Sequence, residues 1–357
     1  MKKILILFTA LIFLGGCADY KEVNEMAIVS AIGIDYIDDE FAITLEVLNE
    51  KIDEESQINS YTRTAKDKNI AIALEKAADL LSHRAYYPHV KLLIIGKEVA
   101  ENNLQEINDF FLRSTYLREN FNIVISNEHS AEEMLKTVTK ENPIASSTII
   151  LLLQSNGYAS DYAIDKKYYI FFQELVDFGK DGALSNINVS DDNFYIDGLA
   201  IFKDYKMVNI LDNDEATIYN ILRNESVKPV FNLTYEGESF TVSLYDSKTD
   251  LSITPDKIKI DGTYRVKIMN NGPNFDIKNT EVLNNLDQDF SKLINKKIEN
   301  LIKKLQDNNS DILYLANRYY IKSRDKNDTL WQHAEIEANT KIIINKKGLV
   351  YSIYESN

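Results

Sequence analysis

The residue best placed for covalent chemistry is Cys17, the single cysteine among 357 residues. It follows Leu14-Gly15-Gly16, and ahead of these stand a basic start, Met1-Lys2-Lys3, and an apolar run from Ile4 to Leu14. Charge, apolar length, small residues and cysteine in this order read as a signal peptide, residues 1–16, that ends in a lipobox. In that chemistry the thiol takes a diacylglyceryl group, the leader is cut ahead of it, and Cys17 becomes the first residue of the mature chain. The apolar run is too short to span a bilayer, which takes about 20 residues. Gly15 and Gly16 favour an extended backbone that a protease can reach. With one thiol no internal disulfide can form, and acylation gives a lone cysteine in an exported chain a role.

Other chemistry lacks its usual arrangement. The sequence has no G-x-S-x-G, no P-loop, no H-E-x-x-H and no C-x-x-C. His83, His89, His129 and His333 are scattered, and none are paired at the i, i+4 spacing of helical metal ligands. Three acidic clusters remain: Asp35 with Asp38, Asp39 and Glu40; Asp191 with Asp192; and Asp212 with Asp214 and Glu215. Each stands at a predicted turn or helix start, where carboxylates accept backbone N–H groups without any catalytic purpose. None carries the glycine and closing glutamate of an EF-hand loop. The expectation is a chain that is not an enzyme and needs no cofactor and no metal. The 21 tyrosines include the pairs Tyr86-Tyr87, Tyr168-Tyr169 and Tyr319-Tyr320, amphipathic rings that suit an interface or the edge of a core.

The elements that must position these residues follow from hydrophobic period. Apolar residues make up 45% and charged residues 27%, the balance of a chain that folds in water. A formal charge of −15 repels nucleic acid and anionic lipid headgroups, so neither is an expected partner surface. Ala27 to Asp35 and the alternating Phe41, Ile43, Leu45 and Val47 predict two strands, with a third near Tyr61 to Thr64. Ile70, Leu74, Ala77, Ala78 and Leu81 share one helical face. Further strands are predicted at Val90–Ile95 and Phe121–Ile125, with an amphipathic helix between them through Leu104, Ile107, Phe110 and Phe111. Ser130-Ala131-Glu132-Glu133 is a capping box that opens another helix.

Gly, Asn, Ser and Asp enrichment over 179–192 predicts a boundary, giving an N-terminal α+β domain, 17–190, and a C-terminal α+β domain, 191–357. The second is predicted as an antiparallel sheet, beginning with a hairpin at Phe194–Phe202 and Lys206–Leu211. A long helix, 280–306, carries Leu286, Phe290, Ile294, Ile298, Leu301, Ile302 and Leu305 on one stripe. Closing strands follow at 336–344 and at Val350–Tyr354, beyond a Lys347-Gly348 turn. The fold class is therefore α+β and multi-domain, with mixed and antiparallel sheets packed with helices.

The order of several segments resembles the Ger(x)C family, the lipoprotein C subunits of spore germinant receptors. These are Cys17 to Asn24, Ala27-Ile28-Val29, Gly33-Ile34-Asp35, His89 to Glu98, Phe111-Leu112-Arg113 with Leu117-Arg118, and Gly198 to Lys203. The family usually has tryptophan directly after the cysteine, where this chain has Ala18; lipidation does not use that side chain. The resemblance implies a non-enzymatic subunit on the outer face of the spore inner membrane. Its implied partners are a polytopic B subunit and an A subunit with a membrane region, and its anchor is the lipid on Cys17. The competing reading is a solute-binding lipoprotein of a transporter, which would show two similar α/β lobes with parallel sheets around a cleft.

Overall fold

The computed structural model describes residues 26–49, 59–114, 117–140, 142–154, 161–225, 227–235, 238–270 and 280–344. Cys17, the leader and the strand expected at Val350–Tyr354 lie outside the described residues. The chain opens with β1 (Met26–Ile37), β2 (Glu40–Asn49) and β3 (Asn59–Asp67), then α1 (Ile70–Asp79), β4 (Arg84–Tyr86) and β5 (Leu92–Gly96). A π-helical turn, Val99–Asn103, leads into α2 (Leu104–Arg113), followed by β6 (Asn122–Ser126), α3 (Ala131–Lys136), α4 (Ala145–Leu153) and α5 (Tyr168–Val176). β7 (Ala183–Ser190), β8 (Asn193–Lys203) and β9 (Lys206–Leu211) complete a sheet ordered β3-β2-β1-β5-β6-β7-β8-β9, with β4 beside β1.

The centre of this sheet, β1-β5-β6-β7, is parallel, and its flanks are antiparallel. Helices cover both faces, which is why the central strands are continuously apolar. Leu93, Ile95, Ile123 and Ile125 face a core shared with α1, α2 and α5. Leu92, Ile94 and Val124 face the opposite core with Met134 and Leu135 of α3 and Ile149 of α4.

Two acidic clusters make the tight turns expected of them. Asp38 and Asp39 between β1 and β2 have φ of 56° and 62°, and Asp191 and Asp192 between β7 and β8 have 50° and 60°. Two successive left-handed residues match the twist of a two-residue hairpin, and aspartate tolerates that conformation.

Beyond β9 come α6 (Asn213–Leu222), β10 (Val230–Tyr235), β11 (Glu238–Ile253), β12 (Lys257–Asn270), α7 (Thr280–Asp307), α8 (Leu315–Ser323), a 3-10 turn at Leu330–His333, and β13 (Glu335–Ile344). The stripe predicted on the long helix packs onto the sheet β10-β11-β12-β13, with Phe290, Ile294, Ile298 and Ile302 against Val242, Leu244, Ile258 and Val266. This sheet is not wholly antiparallel: β13 runs parallel to β12. The connection through α7 carries the chain back to the same end before β13 begins, as a parallel pair requires.

The predicted hairpin at 194–211 forms, but as β8 and β9 of the first sheet. The expected boundary at 190/191 thus falls at the β7–β8 turn, inside that sheet. Leu199, Ile201 and Leu211 also join the second core, so apolar packing is continuous between the layers. The two sheets differ in size, pairing and helix placement, which is not the pair of equivalent lobes that a solute-binding lipoprotein would show.

Gly198 sits where β8 passes closest to the end of β9. Its φ is +79°, and a Cβ there would lie 1.8 Å from the Leu211 carbonyl oxygen. Gly198→Ala is expected to destabilise the protein by more than about 1 kcal/mol, measured as a drop in the thermal unfolding midpoint. An unchanged midpoint would show that this approach of strands is not required.

Candidate functional site

Asp35 departs from the turn role of its neighbours. It lies in β1, only 4% exposed, and its carboxylate oxygens accept the N–H groups of Ala131 at 2.8 Å and Glu132 at 3.1 Å. These are orphan donors in the first turn of α3, whose capping box through Ser130 and Glu133 satisfies others. A Cβ on Gly96 would lie 2.2 Å from Asp35 Oδ1, and one on Gly33 would lie 3.0 Å from the Ala131 Cβ. Gly33, Asp35 and Gly96 therefore form a socket for the start of α3. Burial pushes the Asp35 carboxyl up, and the hydrogen bonds from Ala131 and Glu132 pull it back. Both oxygens are committed to peptide groups, which is a structural assignment. Asp212, exposed, is the N-cap of α6 itself, with a capping box to Glu215.

Among the described residues, no three His, Cys, Asp or Glu side chains come together as a metal-holding group. The tyrosine pairs split between core and surface. Tyr168 is buried against Phe111 and Phe121, while Tyr169 is exposed. Tyr86 packs near His89, and Tyr87 lies half-buried, its phenol pushed up to about 12 by burial and then by Glu75. Tyr319 packs on the second core, and the Tyr320 ring meets Phe178 at 5.2 Å.

The concentration of buried charge lies where α5, α6 and the segment after α7 meet. Lys166 Nζ donates to both oxygens of Glu174, at 2.6 and 2.8 Å, with both side chains almost wholly buried. Tyr314 adds a third donor, its hydroxyl 2.5 Å from Glu174 Oε1. Tyr314 has a left-handed backbone, φ 60°, at the start of α8, a strained conformation for a bulky residue. The Arg223 guanidinium lies over its ring at 4.4 Å.

Alongside stands a second buried set. Asp181 accepts the N–H of Asp311 at 2.7 Å and faces Lys203 Nζ at 3.5 Å, while Asp311 accepts the N–H groups of Leu315 and Ala316, each at 2.8 Å. Burial pushes the Asp311 carboxyl up to about 7 despite those bonds. Sequence reasoning missed both sets: Asp181–Asp311 and Glu174–Tyr314 are 130 and 140 residues apart in the chain, and Lys166 and Glu174, eight apart, lie on either side of the unanticipated start of α5. A cavity of about 430 Å³ opens beside the first set, between α5 and α6.

Comparison with known proteins places this architecture. Residues 19–189 match the family described as the spore germination protein N-terminal domain, and residues 197–348 match the family described as spore germination B3/GerAC like, C-terminal. This chain belongs to the Ger(x)C family of spore germination proteins. It is 23% identical over 355 residues to spore germination protein KC of Bacillus subtilis (strain 168), covering 89% of this chain and 86% of that protein. It is 20% identical over 365 residues to spore germination protein GerQC of Bacillus cereus, covering 98% and 99%. The crystal structure of the GerBC protein superimposes with a TM-score of 0.58 at 17% identity, over 88% of this chain and 96% of that one.

The two stretches matched to Ger(x)C proteins are separated by residues 190–196, which hold the β7–β8 turn and the start of β8. Both stretches thus supply strands to one sheet. The buried charges then join the first stretch to the second, since Glu174 and Asp181 lie before the gap and Tyr314 and Asp311 after it.

In this Ger(x)C chain, Glu174→Leu leaves Lys166 buried without its carboxylate and is expected to cost about 3–5 kcal/mol. Adding Lys166→Met should restore most of that loss in denaturant titrations. A double variant no better than the single one would mean that the pair is not the cause.

Asp311 predicts a pH dependence. Its folded pKa, about 7, stands above its ordinary value of 3.8, so the folded state keeps a proton that the unfolded chain releases. That stabilisation is full below the ordinary value and is lost as pH rises through about 7. Asp67, lowered by its bond from Lys76, and Glu133, lowered by Ser130, act only at more acidic pH. The unfolding midpoint is expected to fall as pH rises from about 4 to about 7, and Asp311→Asn should flatten that slope. An identical slope in the variant would assign the dependence elsewhere.

Proposed function

We propose that this protein is the lipid-anchored C subunit of a spore germinant receptor. In this reading acyl groups on Cys17 hold it at the outer face of the spore inner membrane. There it works with a polytopic B subunit and an A subunit to convert nutrient sensing into germination. The observation that carries the reading is the family match from residue 19 to residue 348, which begins two residues after the lipobox cysteine. Among the described residues no helix is long and apolar enough to cross a membrane, and the lipobox supplies the attachment. Several acyl chains are needed for stable anchoring, since a single chain binds only marginally. The charge of −15 adds no attraction to anionic headgroups.

The role proposed is non-enzymatic. The buried carboxylates Asp35, Asp181 and Asp311 are occupied by peptide N–H groups, and Glu174 by a lysine and a tyrosine. These are the bonds of a scaffold, and the subunit acts through contact with its partners.

Cys17→Ala is expected to release the protein from spore membranes and to abolish incorporation of labelled fatty acid. Full retention of the variant would place the anchor elsewhere. Deleting the chain should stop germination by the nutrients of its own receptor while other triggers still work. Crosslinking from spore membranes should recover A and B subunits; recovery of a permease with an ATPase would replace the receptor reading with that of a transporter.

A further inference from the structure

The cavity between α5 and α6 is lined by a cation, Arg223, that feels the charges of Glu174 and Glu225 but is in direct ion-pair contact with neither. Arg223 ends α6, where its N–H donates to the Tyr219 carbonyl and the helix carbonyls favour positive charge. Its guanidinium is planar, permanently charged and built for bidentate carboxylate recognition. Stacking on Tyr314 fixes that plane, yet among the described residues the guanidinium makes no hydrogen bond and no ion pair. Glu174, the nearest buried carboxylate of the lining, already takes both contacts from Lys166 and one from the Tyr314 hydroxyl.

The other lining groups narrow what the site accepts. Asp165 takes amide donors from Asn122 and Gln154. Asn220 spends its amide on the carbonyls of Asp161 and Ala163. Glu225 is exposed at the rim. The carboxylates of Asp165, Glu174 and Glu225 outnumber the cations Lys166 and Arg223, an excess that repels a dianion such as phosphate about twice as strongly as a single carboxylate, and only the carboxylate matches the guanidinium fork. Ile170 and Val227 supply an apolar wall, and a volume of about 430 Å³ suits a small molecule.

We propose that this cleft binds a small monocarboxylate, its carboxylate on the Arg223 fork and its apolar body along Ile170 and Val227. The residues that line the cleft belong to this chain and lie far in sequence from Cys17, so the site stands or falls apart from the receptor reading.

The test is ligand-observed NMR on the full chain purified in detergent, with butyrate as the probe and inorganic phosphate as the competing anion. Butyrate is expected to give a saturable signal that phosphate does not displace. Arg223→Ala should weaken it by at least about tenfold, and Arg223→Lys, which keeps the charge but not the fork, by a smaller factor. Glu225→Gln should strengthen it, because it removes the nearest free competitor for the guanidinium. Circular dichroism checks the fold of each variant, and if Arg223→Ala does not fold, Arg223→Lys carries the comparison. Lack of saturable binding up to about 10 mM, displacement by phosphate, or unchanged affinity in the folded Arg223 variants would overturn the proposal.

Discussion

A carboxylate taken out of water must have its oxygens filled, and the junction between the two layers of this protein is built on that requirement. Asp181, just before β7, accepts the backbone N–H of Asp311, just after α7. Asp311 in turn caps the first turn of α8 through Leu315 and Ala316. Ser310 adds a hydroxyl bond to the Phe202 carbonyl of β8, and Asn317 binds the carbonyls of Phe178 and Gly179. The bonds of Asp181, Ser310 and Asn317 cross from the first layer to the segment that follows α7, and those of Asp311 order that segment. Together they fix where Tyr314 stands, and Tyr314 fixes one side of Glu174. The buried ion pair and the cleft beside it therefore depend on a joint in which polar side chains bond to backbone groups.

The same device recurs at Asp35, and it explains residues that carried the family resemblance. Gly33-Ile34-Asp35 and the glycine closing His89 to Glu98 belong to one socket, because the Asp35 carboxylate occupies the space a Gly96 side chain would need. Gly198, at the head of Gly198 to Lys203, is required by the approach of the Leu211 carbonyl. Phe111 packs on Phe121 and Tyr168 under the first sheet. These motif residues hold the fold.

Legibility in the sequence followed the range of the interaction. The central strands, the stripe of α7 and the capping boxes at Ser130 and Asp212 are encoded within a few residues, and periodicity or spacing displays them. Three helices, α4, α5 and α8, were not anticipated. In α5 the inward residues Tyr168, Phe171, Phe172 and Leu175 do have helical spacing, but the aromatic run Tyr168-Tyr169-Ile170-Phe171-Phe172 also suits a strand, and Lys167 offers no side-chain cap. α8 has only Leu315 and Ala316 wholly buried and starts at a left-handed tyrosine. Its cap, Asp311, is itself held by a residue 130 positions earlier, and no local pattern reports that. Charge pairing across the joint was hidden for the same reason.

The Lys166–Glu174 pair raises the question of why a junction should contain charge at all. Desolvating two ions costs several kcal/mol each, so an apolar pair of similar volume would give comparable stability. The difference lies in what surrounds the pair. An apolar joint could close on itself, whereas the polar atoms here need water wherever a protein partner is lacking. Lys166 and Glu174 satisfy one another, and Tyr314 completes Glu174, which leaves Arg223 and Glu225 to be served by solvent at the mouth of the cavity. The electrostatics that lock α5 to the start of α8 thus stand beside an open space between α5 and α6, on the face where the Arg223 guanidinium lies over the Tyr314 ring.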